Sequence, residues 1–343
     1  MIMSVNKVKC RVFLDSAGDD MKASLERGLQ YIEWDRYVNN KSTVFIKPNF
    51  TFPRHIEGVT TSPELLLSLL RLLKGKAGRV ILGESDGANH AFTAEEAFEG
   101  HGIYEICKET GAEVVSLSRM PSSIVESTIL GKRVKVRLPD LLLHDTDCFI
   151  SVPVFKVHAM TTVTLSLKNS WGCIPDTMRC LLHQDLSHKL ALIAGQLKPR
   201  IVIMDGLYSL DKHGPMYGEA VKTDVLLVSD NTVAADALGA MIMGFSPRSI
   251  KHLAVAEKAG LGPLAPADID VNTDWNKYRR QFRIERTLID RASGLLFHSG
   301  LVAKIVMDSA LTPLIYKIAG YFRSSDEKKV AGQLGSRRNP GPY

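Results

Sequence analysis

Two lysines and two histidines crowd one stretch of this chain. Lys156 and His158 fall in Val152-Pro-Val-Phe-Lys-Val-His158, Lys168 and Asn169 in Leu167-Lys-Asn-Ser-Trp-Gly172, and His183 follows. Residues i and i+2 of an extended segment face one side, so Lys156 and His158 share a face. A lysine there can hold a carboxylate or phosphate, and a histidine can move protons near neutral pH or bind a metal. Lys168 admits three roles: partner of a helix C-terminus, anion clamp, or covalent anchor, since buried lysines readily lose their proton. His183 and His188 are five apart, not the i, i+4 spacing of a helical metal pair, and His188 reads as a surface residue.

Other polar residues close apolar runs that read as strands. Lys47 and Asn49 follow Thr43–Ile46, Glu84 and Asp86 follow Arg79–Leu82, Asp205 follows Arg200–Met204, and Asp230 follows Asp224–Val228. Ligands of open α/β sheets sit beyond the carboxyl ends of the strands, so parallel strands would bring these groups to one edge. Each alone is equally a turn residue or a cap. Asp230 could cap the helical pattern Val233–Met243, and Asp236, inside that pattern, could face the site or pack near a basic partner. The candidate substrate-binding set is Lys47, Asn49, Lys156, Asn169, Asp205 and Asp236. It fits a small anionic molecule.

The elements that must place these residues alternate short β-branched runs with helical periods. Strands are expected at Lys7–Leu14, Thr43–Ile46, Arg79–Leu82, Glu113–Leu117, Cys148–Val152, Arg200–Met204 and Asp224–Val228, with a hairpin at Val125–Ile129 and Arg133–Leu138. Helical patterns fill Asp19–Val38, Leu65–Leu73, Thr161–Asn169, Leu186–Leu197, Val233–Met243 and Ile250–Ala259. Ser62-Pro63 reads as a helix start, and Thr93-Ala-Glu-Glu96 as a capping box. Gly206, Gly214-Pro215 and Gly218 mark a glycine-rich loop that could close over a ligand or simply turn. The fold class is α/β: a mostly parallel or mixed sheet with flanking helices. Residues 1–273 form the α/β domain, from which 85–145 could stand out as a second lobe. Residues 274–322 are expected as a helical extension, and the polar, Gly/Pro-rich 323–343 as a disordered tail.

Composition narrows the class. The 343 residues are 45% hydrophobic and 23% charged with net charge +6, as in ordinary globular proteins. The excess of cations mildly favours anionic partners, and no nucleic-acid-binding module is present. The five cysteines are widely spaced without a C-x-x-C pair, which argues against a disulfide framework or an iron–sulfur cluster. Without a leader or an apolar span, a cytoplasmic location is the default. Apolar residues with Lys304, Lys317 and Arg323 over 294–322 could touch a membrane surface, or pack as a helical pair on the domain or at a homodimer interface.

The motifs Lys47-Pro-Asn49, Thr60-Thr-Ser-Pro63, Val152 to His158, Leu167 to Gly172, His183, Asp205-Gly206, Gly214-Pro215 and Ala234-Ala-Asp236-Ala keep an order that resembles the domain of unknown function 362 family. A more distant resemblance is to the nickel-pincer lactate racemases. His90 precedes Thr93-Ala-Glu-Glu96, Lys168 follows His158 by ten residues, and His183 comes later. That resemblance implies His90 and His158 as an acid/base pair, Lys168 as the cofactor anchor and His183 as a metal ligand. The chain departs from it at Ala91, where a basic residue is expected, and at Thr164–Leu167, where glycines are expected. The residues thus point to an enzyme acting on a small carboxylate or phosphate by His/Lys acid–base or metal-assisted chemistry, of isomerase or lyase type. The cofactor is open, with a divalent metal as one choice. The alternative is a carrier that binds an anion or a cofactor without chemistry.

Overall fold

The computed structural model describes residues 9–18, 20–286 and 306. The elements in chain order are β1 (Cys10–Asp15), α1 (Met21–Tyr31), β2 (Thr43–Lys47), α2 (Pro63–Leu73), β3 (Arg79–Glu84), α3 (Ala94–Gly100), α4 (Ile103–Thr110) and β4 (Glu113–Ser116). Then come β5 (Ser122–Ile129), β6 (Lys132–Pro139), α5 (Asp140–His144), β7 (Cys148–Ser151), β8 (Val154–His158), β9 (Thr162–Val163) and α6 (Leu165–Asn169). The series ends with α7 (Leu186–Leu197), β10 (Ile201–Asp211), β11 (Glu219–Ser229), α8 (Thr232–Ile242), α9 (Lys251–Lys258) and β12 (Ile269–Val271).

Ten strands form one mixed, mostly parallel sheet in the order β12-β1-β11-β10-β7-β2-β3-β4, with β8 joined to β10 and β9 to β8. The run β10-β7-β2-β3-β4 is parallel throughout. Its central strands are buried on both faces and read as continuous apolar runs, Val44-Phe-Ile46 and Cys148-Phe-Ile150. Helices cover both faces: α1, α2 and α4 pack with one apolar cluster, and α7 with another that also takes the inner side chains of the β5–β6 hairpin, Val134, Val136 and Leu138. The hairpin is a separate two-stranded antiparallel sheet.

Local signals explain the helix starts. Thr93 and Glu96 form the expected capping box, each side chain taking the other's amide. Ser62 precedes Pro63 as expected, but its hydroxyl caps nothing; Asp205 from β10 accepts the Ser62 amide at 2.7 Å instead. A carboxylate at a helix N-terminus answers both the free amide and the dipole. At α8 the cap is Asn231, while Asp230 accepts the Arg11 amide.

Two expected elements are rebuilt. The single helix over Thr161–Asn169 is instead strand β9 followed by the one-turn α6, whose first residue, Leu165, has φ +44°. Asp236 takes the Ser166 and Leu167 amides at 2.7 and 2.8 Å, so a carboxylate 70 positions away starts α6 where no local signal does. The short strands around Arg200–Met204 and Asp224–Val228 extend into an antiparallel hairpin of two eleven-residue strands, β10–β11, which absorbs Gly206. A Cβ at Gly206 would lie 2.5 Å from the Val225 carbonyl oxygen, so the close strand approach requires glycine. Past residue 273, Trp275–Tyr278 makes a short 3₁₀ turn and Ile284 bridges to Lys212. The remainder of the expected 274–322 extension, and the 323–343 tail, lie outside the described residues, apart from residue 306. Among the described residues no helix is long and apolar enough to cross a membrane.

Candidate active site

Parallel register places the polar residues at strand ends side by side. Lys47 ends β2 opposite Ser151 of β7, and Glu84 ends the neighbouring β3. Lys47 Nζ meets Glu84 Oε2 at 2.5 Å with both side chains almost fully buried. Glu84 also accepts the Ser85 and Phe50 amides, and Lys47 donates to the Pro48 carbonyl. Removing one partner of such a pair strands a buried charge. Gly172 lets the backbone pass over the pair, since a Cβ there would lie 3.0 Å from Lys47 Nζ.

Lys156 is fully buried within β8 and donates to Asn49 Oδ1, Thr51 Oγ1 and the Val59 carbonyl at 2.7–2.9 Å. Burial, then the positive fields of Lys168 and Lys47, hold its pKa well below the usual lysine range. Asn49 continues the network to Asn169 Oδ1, whose amide reaches the Lys47 carbonyl and Ser151 Oγ. These contacts fix the 49–61 segment on the sheet edge.

Beyond this floor lies a cavity of about 730 Å³. Of the residues expected from sequence, Lys47, Asn49, His158, Lys168, Asn169 and His183 line it. Lys168 projects from α6 with its Nζ 5.9 Å from the centre of the Trp171 ring, and it has no hydrogen-bond acceptor or carboxylate partner among the described residues. Burial and the nearby Arg179 lower its pKa to about 8. His158 ends β8, and its Nδ1 accepts the Met160 amide at 3.1 Å, so the proton of the neutral ring sits on Nε2. Burial, then Lys168, His183, Lys156 and His252, keep its pKa well below the ordinary histidine value. His183 stacks on Trp171 with ring centres 5.5 Å apart, and burial and Lys168 bring its pKa to about 3.

The other expected residues lie elsewhere. Lys156, Asp205 and Asp236 are buried behind the cavity wall and bond to the chain itself. Burial pushes the Asp236 carboxyl up to about 8 against the pull of its two amides. Its role is to hold α6, and with it Lys168 and Asn169. His90 is exposed at φ +53°, contacts Thr177 Oγ1 at 3.0 Å, and does not line the cavity.

The site also contains groups the sequence reading passed over. Arg179 is 8% exposed and lines the cavity, and its guanidinium donates only to the carbonyls of Asp86, Ile174 and Asp176. No carboxylate bonds to Arg179 among the described residues; Glu84 and Asp86 act on it only through their fields. No local pattern around Arg179 announces this, because all three carbonyl partners are backbone. Cys180 lines the cavity with Sγ 2.8 Å from Asn89 Oδ1, and Pro215 and Tyr217 of the β10–β11 connection close one side. Among the described residues no group of three or more His, Cys, Asp or Glu side chains is placed to hold a metal.

The sheet edge, its buried Lys–Glu pair and the lysine-lined cavity fall within residues 44–241, the stretch that matches the model of a family described as a domain of unknown function (DUF362). The chain belongs to that family. It is 26% identical over 237 residues to a thylakoid-associated protein, sll1697, of Synechocystis sp., covering 67% of this chain and 71% of the relative. Among solved structures, a Thermotoga maritima protein aligns with TM-score 0.34 and 11% identity over 69% of this chain and 57% of its own. The chain thus spans under two thirds of that protein's length.

Proposed function

We propose that the cavity is the active site of an enzyme that binds a small carboxylate or phosphate and moves a proton on the carbon beside it. The observation that carries this reading is Lys168: a cavity-lining ammonium without a counter-charge, whose pKa of about 8 leaves roughly a tenth of it as free amine at neutral pH. Arg179 and the Lys168 ammonium would hold the anion. In the minor fraction of complexes in which Lys168 is the free amine, it would take the proton from carbon as the C–H electron pair moves onto the adjoining oxygens. The ammonium formed then sits beside the developing negative charge, where it is most stabilising. Delivery of that proton to the neighbouring carbon completes an isomerisation, and departure of a β-leaving group with its electron pair completes an elimination.

The neutral, low-pKa His158 suits donation from Nε2–H to a substrate oxygen better than it suits proton removal. His90, exposed and tied to Thr177, does not support the opposite-face partner that the racemase resemblance implies. A cytoplasmic location is part of this proposal. The thylakoid association named for the Synechocystis relative belongs to that protein, and a peripheral contact through 294–322 is the corresponding proposal for this chain.

Incubation with 2-hydroxy and 2-oxo carboxylates in D₂O, followed by proton NMR, tests the chemistry. At least one compound should lose the signal of the hydrogen beside its carboxylate or carbonyl, and Lys168→Met should abolish that loss. Tight binding of these acids with no exchange would instead make the protein a carrier.

A further inference from the structure

A second cavity of about 510 Å³ adjoins the first, and His183 lines both. Its wall holds the start of α7, including Ser187 and His188, and the start of α9, with Lys251 and His252. A helix N-terminus favours an anion but does not by itself make a site. Here a buried side chain adds to it. His252 is 2% exposed and its Nε2 has no hydrogen-bond partner, and the same holds for the buried Nδ1 of His188. Two ring nitrogens on one cavity wall thus lack partners that buried polar atoms ordinarily have. Lys251 is exposed at the rim and forms no ion pair among the described residues, whereas Lys132 is taken by Asp185.

The two cavities also share an electrostatic field. The charge of Lys168 is felt at His158, His183 and His252, and the charge of Lys251 at His188. Lys168 in the first cavity and Lys251 in the second thus flank a run of histidines, His183, His188 and His252, whose pKa values are held low. Asp185, already paired, is the carboxylate of the second wall.

We propose that the two cavities take one ligand, an elongated small molecule with an anionic group at each end. One end lies on Lys168 and Arg179, and the other on Lys251, His188 and His252. This rests on the reading of the first cavity as an anion site, and it narrows the substrate class to dianions longer than a single carboxylate.

The test is calorimetric titration of the full chain with acetate and with the straight dicarboxylates from malonate to pimelate. Affinity should peak at one chain length, at least tenfold above acetate. Lys251→Met, at an exposed position that should not disturb folding, should remove that peak and leave acetate binding unchanged. Lys168→Met should weaken both. A flat dependence on length, or a peak that survives Lys251→Met, would overturn the two-ended ligand while acetate binding still stands. Failure of every acid to bind would overturn the anion site itself.

Discussion

The chemistry of this site turns on which cations have partners. Lys47 is neutralised by Glu84, and Lys156 is satisfied by three uncharged acceptors, but among the described residues no carboxylate bonds to Lys168 or Arg179, which face the cavity. The paired lysine is the structural one. Glu84→Gln keeps the shape but leaves the Lys47 charge buried without its counter-ion, and should destabilise the fold by about 3–5 kcal/mol, read from urea unfolding. An unchanged midpoint would show that the pair contributes little. The sequence made Lys168 and His158 visible, because both sit in a polar-rich stretch just beyond apolar strands. It could not rank them, because a lysine's partners come from distant elements.

At the scale of elements, the positioning devices are long-range ties. Asp236 of α8 starts α6, and Asp205 of β10 caps α2. Both aspartates were legible as unusual polar residues, yet they read as ligand-binding groups because the backbone amides they serve lie 70 and 143 positions away. The capping box of α3 and the parallel strands were legible because their signals are local. At the end of α3, His101 is buried, stacks on Phe50 at 3.9 Å and bonds the Ala97 carbonyl through Nδ1. Burial lowers its pKa to about 4. A histidine with a depressed folded pKa contributes stability above its unfolded value of about 6.5, and that stability is lost as pH falls through the folded value. Between pH 6.5 and 4 the protein should lose on the order of 3 kcal/mol that a His101→Gln variant does not lose. Parallel pH profiles of thermal unfolding for the two proteins would contradict this.

Across the whole molecule, the sheet gathers the carboxyl ends of β2, β3 and β7 at one edge, and the connections after them build the cavity wall. The α/β class was readable from alternating strand and helix periods. The antiparallel β10–β11 hairpin was not, because its glycines and polar residues imitate a loop. The net positive charge of the chain is thin evidence for an anionic ligand by itself. Concentrated in one cavity as Lys168 and Arg179, neither bonded to a carboxylate, it becomes a physical reason for one.

That claim is tested most directly by calorimetric titration with malonate at pH 7 and pH 9, in buffers of differing ionisation enthalpy. Below a pKa of about 8 Lys168 already carries its charge, and above it an anion must draw a proton in to gain that partner. Malonate should bind about tenfold more weakly at pH 9 than at pH 7, with close to one proton taken up per malonate at pH 9, and Lys168→Met should show neither effect. Equal affinity at the two pH values without proton uptake, or a Lys168→Met variant that behaves like the parent, would contradict the assignment.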